Sequence, residues 1–164
     1  MPWPHESAKN LVKVLVLYYS RTGSTQALAE AVKEGVNSIE GAEASLKRVD
    51  FATTEDLVTC DAVAFGSPNY FGYIAGLMKD FFDKALIVRE KVSGKPAAAF
   101  SSGGSSSTPA LLILDNMISA FRLEKVVKGV ASVGVPTDKD LDACRKLGEA
   151  LAKAAVKRAK EPRE

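Results

Sequence analysis

Histidine is nearly absent from this chain. The one copy, His5, lies among the first ten residues, so a Ser-His-Asp triad or a multi-histidine metal site is excluded. Two cysteines, Cys60 and Cys144, stand far apart and in no metal-ligand spacing. Cys144 falls on the apolar stripe of a predicted helix and Cys60 just before a predicted strand, so both read as core thiols. Neither sign of charge is in excess, with 22 Lys and Arg against 20 Asp and Glu. No basic block of the kind that marks nucleic-acid binding occurs. No apolar run reaches the length of a bilayer span. Residues 1–7 lack the basic and apolar regions of a signal peptide. The expectation is a cytoplasmic protein with neither a membrane nor a nucleic acid as partner. A Gly-Lys-Ser/Thr phosphate loop is missing, and so is a three-glycine dinucleotide fingerprint after the first strand.

What is present fits one domain. The 164 residues suffice for a full core, and 46% hydrophobic with 26% charged residues is an ordinary globular balance. Residues 1–10 read as a tail, 11–157 as the domain and 158–164 as a charged tail. Trp3 in the first tail has two readings, a disordered end or a cover over a pocket or a neighbouring subunit. Short β-branched runs predict strands over 12–19, 44–49, 62–66 and 97–101, with a fifth inside 126–135. Between them lie helical patterns. Leu28, Val32, Gly35, Val36 and Ile39 form the first stripe. Ile74, Leu77, Met78, Phe81, Phe82 and Ala85 form another. Leu111, Leu114, Met117, Ile118 and Phe121 follow Thr108-Pro109, read as N-cap and first helical residue. Leu141, Cys144, Leu147, Leu151 and Ala155 follow Pro136-Thr137. Strands alternating with helices predict an α/β fold with a parallel sheet. A doubly wound five-stranded order 2-1-3-4-5, with helices on both faces, places ligands at the carboxyl ends of strands one and three.

The three most unusual loops converge there. The first strand runs into Ser20-Arg21-Thr22-Gly23-Ser24-Thr25, whose hydroxyls precede a helix read to open near Gln26. Hydroxyl donors, free N–H groups of a first helical turn and the positive end of the helix dipole together suit a phosphate. The plainer reading is a strand-to-helix turn capped by Ser24 or Thr25. The third strand ends in Ser67, Pro68, Asn69, Tyr70, Phe71 and Gly72. Its two aromatics offer a flat face for a ring system, or else cover the end of the sheet. The fourth strand opens into Ser101, Ser102, Gly103, Gly104 and further serines, where backbone can approach a ring edge; a plain flexible loop is the alternative.

Ser20-Arg21-Thr22-Gly23-Ser24-Thr25 resembles the phosphate loop of flavodoxins, which holds the phosphate of FMN. The stretch 66–72, together with Ser102-Gly103-Gly104 and Pro136-Thr137, is similar to the tryptophan-repressor-binding-protein type of NAD(P)H:quinone reductases. The resemblance covers nearly the whole chain. It implies FMN as cofactor, with the first loop on the phosphate, the second flanking the flavin and the third along its pyrimidine side. It names no catalytic residue and no metal. Two features depart from those reductases: the first loop ends like a flavodoxin's, and the chain is too short to hold all of their extra insertion after the fourth strand. Two depart from flavodoxin carriers, which are markedly acidic and commonly sandwich the ring between two aromatics: the balanced charge and a third loop without an aromatic. A third loop without an aromatic would leave one flavin face open. The expected function is therefore FMN-dependent transfer of electrons from a reduced nicotinamide to a quinone or similar acceptor. The alternative is a carrier between redox protein partners; a cofactor-free interaction module ranks last. A homo-oligomer is allowed by either. A phosphoacceptor receiver of the same fold is disfavoured, because Ser20 and Ser67 stand where its acidic cluster is needed.

Overall fold

The computed structural model describes residues 11–162. The expectations for Trp3, His5 and the extreme C-terminal residues 163–164 lie outside the described residues. The first strand, β1 (Val12–Tyr18), has every residue but Lys13 buried, as a central parallel strand covered on both faces requires. Helix α1 (Ser24–Asn37) follows, then β2 (Ala42–Arg48), a 3-10 turn at Val49–Phe51 and α2 (Thr54–Thr59). Next come β3 (Ala62–Pro68), α3 (Gly76–Ala85), the short α4 (Arg89–Val92) and β4 (Pro96–Gly103). The chain closes with α5 (Thr108–Ala120), β5 (Glu124–Lys125), β6 (Val130–Val133) and α6 (Asp138–Lys160).

The sheet is parallel throughout and ordered β2-β1-β3-β4-β5, with β6 also on β4. This is the expected 2-1-3-4-5 arrangement, with its fifth place filled by two pieces. Pro96 pairs with Glu124 and Phe100 with Val130. Between the pieces Gly129 runs against Leu111 and the Ala99 carbonyl, where a Cβ would come within 2.7 Å and 2.9 Å of them. The fifth strand thus begins two residues before the predicted window and is interrupted inside it.

Alternate residues of the central strands feed two cores. Leu15, Leu17, Val63, Phe65, Ala97 and Ala99 pack against Met78, Phe82, Leu114 and Ile118 on one face. Val14, Val16, Ala62, Ala64, Ala98 and Phe100 pack against Leu28, Val32, Cys144, Leu147 and Leu151 on the other. On that second face α1 and α6 touch backbone to backbone. A Cβ on Gly35 would collide with the Arg145 carbonyl, and one on Gly148 with the Val32 carbonyl.

Element ends differ from expectation in ways that matter locally. Helix α1 starts at Ser24 and its N-cap is Gly23, in a left-handed conformation with φ 101°. Helix α3 starts at Gly76; Ile74 and Ala75 are buried ahead of it, whereas Leu77 is exposed rather than on the core stripe. The N-cap position of helix α5 is Ser107, one residue before the predicted cap, and its side chain makes no capping hydrogen bond. Strands β3 and β4 run on through Pro68 and Gly103, so parts of the second and third predicted loops are strand. Helix α6 continues to Lys160, into the range read as a tail.

Candidate functional site

A cavity of about 530 Å³ opens at the carboxyl ends of β1, β3 and β4. A larger recess, about 770 Å³, lies at the opposite end of the sheet, around Leu11, Gly41, Asp61 and Lys160. None of the predicted site residues lines that second recess.

The first wall of the carboxyl-end cavity is the turn after β1. Gly23 supplies the positive φ that swings the chain from strand to helix. Its N–H donates to the Ser20 hydroxyl at 3.1 Å, so Ser20 is turned inward to brace the loop rather than to line the cavity. Arg21, Thr22, Ser24 and Thr25 do line it. The first turn of α1 adds N–H groups that have no partner within the helix, and the helix dipole is positive there. Below the loop, Arg48 Nη1 donates to the Ser20 carbonyl at 2.7 Å, and its guanidinium lies 5.4 Å from the centre of the Tyr19 ring. Arg48 also pairs with Asp50 at 3.1 Å.

The second wall is the turn after β3. The Ser67 hydroxyl accepts from Ala75 N at 2.9 Å and donates to the Pro68 carbonyl at 2.9 Å, which clamps both ends of the turn. Asn69 donates its backbone N–H to the Ser102 carbonyl at 2.7 Å and accepts from Ala110 N at 3.0 Å, joining the turn to β4 and to α5. Tyr70 and Tyr73 exchange backbone hydrogen bonds of 2.8 and 2.9 Å around Phe71 and Gly72. Both central residues have positive φ, 54° and 79°, the signature of a type I′ turn. The cavity is lined by Pro68, Asn69 and Tyr70. Phe71 and Gly72, expected to flank a ring, are not among its lining residues. The left-handed backbone at Phe71 carries its side chain into solvent, 108% exposed. Tyr70 meets the edge of Tyr19 at 6.4 Å. Burial, aided by Tyr19 and opposed by Arg21, raises the Tyr70 phenol above its ordinary value, so it is neutral at pH 7 and adds no negative charge beside an anion.

The third wall is the end of β4. Ser102, Gly103 and Gly104 line the cavity. A Cβ on Gly103 would strike the Ser106 carbonyl, whereas Gly104 has open space around its Cβ position. Ser101 is buried and donates to the Ser107 carbonyl at 2.8 Å, so it holds the turn from behind and does not reach the cavity. The first and third walls are tied by one buried contact, 2.7 Å between the Thr25 and Ser102 hydroxyls. The reading of the sequence missed Gly134 and Val135, which also line the cavity. Gly134 N donates to the Gly103 carbonyl at 2.8 Å and carries them there. Their signal was the apolar stretch Val133-Gly134-Val135-Pro136, which begins at the last residue of β6 and leaves the sheet at the same end.

The site thus has a hydroxyl- and N–H-rich end, an aromatic side and a side of bare backbone. That is the donor set for a phosphate ester carrying a flat polar ring. Among the described residues no group of three or more His, Cys, Asp or Glu could hold a metal ion, and no helix is long and apolar enough to cross a membrane.

Comparison with known proteins gives concordant results. The profile of the family described as Flavodoxin matches residues 16–148. A flavodoxin of Aquifex aeolicus is 39% identical over 157 residues, covering 85% of this chain and 85% of that one. A protein of Syntrophobacter fumaroxidans named NAD(P)H dehydrogenase (quinone) is 35% identical over 156 residues, covering 76% and 72%. Among solved structures, a flavodoxin from the domain Archaea superposes with a TM-score of 0.80 at 27% identity, covering 88% of this chain and 99% of that one.

Proposed function

Because this chain belongs to the flavodoxin family, with FMN as its cofactor, we propose that it carries electrons between redox proteins. The observation that carries this reading is the short link from β4 to α5, residues 104–107 alone. It leaves no room for the insertion that the resembling quinone reductases place there. The relative named flavodoxin and the archaeal flavodoxin structure lean the same way.

The cavity fits the cofactor. Gly103 is packed so closely that no side chain could stand there, and Gly104 is open, so backbone can meet a ring edge. Bound FMN supplies reversible uptake of electrons. In our reading Arg21, Thr22 and Ser24, with the first N–H groups of α1, hold the phosphate. Thr25 and Ser102 fix the distance between phosphate end and ring end. Tyr70 supplies an aromatic side, and Asn69, through Ala110, keeps it in place. Gly134 and Val135 complete the lining.

A second reading, oxidation of a reduced nicotinamide by a quinone, is favoured by one observation. The β4 wall carries only Ser102, Gly103 and Gly104, which leaves that side of the ring accessible. The Syntrophobacter relative's name points to the same activity. Two measurements test the site and the choice. FMN should bind more tightly than riboflavin; equal affinity would remove the phosphate assignment. The FMN-loaded protein should be reduced in two resolved one-electron steps and show negligible NADH or NADPH oxidation with a quinone. Rapid turnover with a single two-electron step would decide for the reductase.

A further inference from the structure

We propose that the rim around the cavity is an uncharged apolar docking face, anchored by Phe71, for a redox protein whose own electron-transfer centre is bordered by apolar, uncharged side chains. This rests on the carrier reading.

Phe71 is the first observation. The first central position of a type I′ turn favours Asn, Asp or Gly, since a left-handed backbone strains a bulky side chain. Phe71 occupies it with φ 54° and buries none of its ring. The fold gains nothing from an aromatic there, and an unexplained strained residue beside a site points to function. Its surroundings are the second observation. Tyr73 and Leu77, which follow Phe71 closely in the chain, are exposed, and so are Val133 and Val135, the last of which lines the cavity. Charge is the third. No charged side chain occurs in 66–78, 96–114 or 129–137, although 26% of the chain is charged. In the loops lining the cavity only Arg21 bears a charge, at the phosphate end.

A partner that presented charges to this face would desolvate them without counter-charges. A partner with an apolar rim loses nothing, and an exposed aromatic is the kind of residue on which such contacts concentrate. A second copy of this chain fits less well, because a lasting dimer on this face would shut the cofactor away from any donor. A small quinone fits less well too, since Phe71 does not line the cavity.

The test uses FMN-loaded protein reduced with dithionite and mixed rapidly with ferric cytochrome c, a basic probe, or ferric rubredoxin, an acidic one. Each Fe(III) takes one electron from the reduced protein and becomes Fe(II). Both rates should change by less than about threefold between about 20 and about 500 mM NaCl. Phe71→Asn and Leu77→Ser should each slow both transfers by at least about fivefold, with FMN affinity unchanged and the melting temperature of Phe71→Asn not lowered. Salt slopes of opposite sign for the two probes, or variants as fast as the parent, would overturn the proposal. So would weakened FMN binding in Phe71→Asn, which would make the ring a cofactor cover. So would a sedimenting dimer that Phe71→Asn dissociates. Absence of transfer to either probe at any salt, with nicotinamide–quinone turnover intact, would instead remove the carrier reading itself and this face with it.

Discussion

Thr22 presents an exposed hydroxyl to the cavity, whereas Thr25, three residues on, is buried against Ser102. The two should therefore fail differently. On the proposed assignment, Thr22→Ala removes a hydroxyl that bonds the charged phosphate, worth about 1.5–3 kcal/mol. FMN should bind roughly ten- to a hundredfold more weakly, with the unfolding of the apoprotein unchanged. Thr25→Val instead strands the Ser102 hydroxyl in the interior. It should lower apoprotein stability in urea by about 1–3 kcal/mol, and adding Ser102→Ala should recover part of the loss. Both cysteines are held protonated. Burial, opposed by Lys95, pushes Cys60 up to about 11, and burial with Asp140 nearby pushes Cys144 up to about 12. Neither thiol should react with a disulfide reagent at neutral pH until the chain is unfolded, which a colorimetric thiol assay reads directly.

Among the elements, α6 has the most completely specified start. Thr137 accepts from Asp140 N at 3.2 Å, and Asp140 accepts from Thr137 N at 2.9 Å and from the Ser132 hydroxyl at 3.0 Å. The Thr137 N–H, against partial burial and with help from Ser132, holds the Asp140 carboxyl below its ordinary value. A lowered folded value means that Asp140 stabilises the fold above the ordinary carboxylate range. That contribution is lost as pH falls through the folded value. Asp140→Asn should be less stable than the parent near pH 7, and the gap should narrow by about pH 3 when both are unfolded in urea. Thr137→Ala should cost about 1 kcal/mol near pH 7. This helix was legible because Pro136-Thr137 and a long stripe announce it. Helix α3 was less so: Ile74 and Ala75 are buried by the clamp on Ser67 and not by helical packing, so they mimic the stripe. The fifth strand was obscured by Gly129, which is there for close approach to Leu111 and the Ala99 carbonyl.

At the scale of the molecule, strand order and the end of the sheet where the three loops enclose a cavity were both readable. Alternating strand and helix patterns permit few windings, and the three unusual loops all follow strands. Which residues of those loops face the cavity was not readable. Ser20, Gly23 and Ser101 sit behind it because hydrogen bonds and a left-handed residue set their direction, and composition does not encode direction. The glycine contact of α1 with α6 was also hidden, since Gly35 on a stripe reads like any small core residue. It has a kinetic consequence. Gly35 lies against Arg145, so seating α6 closes a loop of about a hundred residues, and the entropy lost in that closure is recovered only once the helix is home. The docking of α6 is then expected on the native side of the folding barrier. Gly148→Ala, which pushes a methyl into the Val32 carbonyl, should cost about 1–3 kcal/mol. Nearly all of it should appear as faster unfolding, with the refolding rate left where it was; an equal slowing of refolding would place that closure early instead.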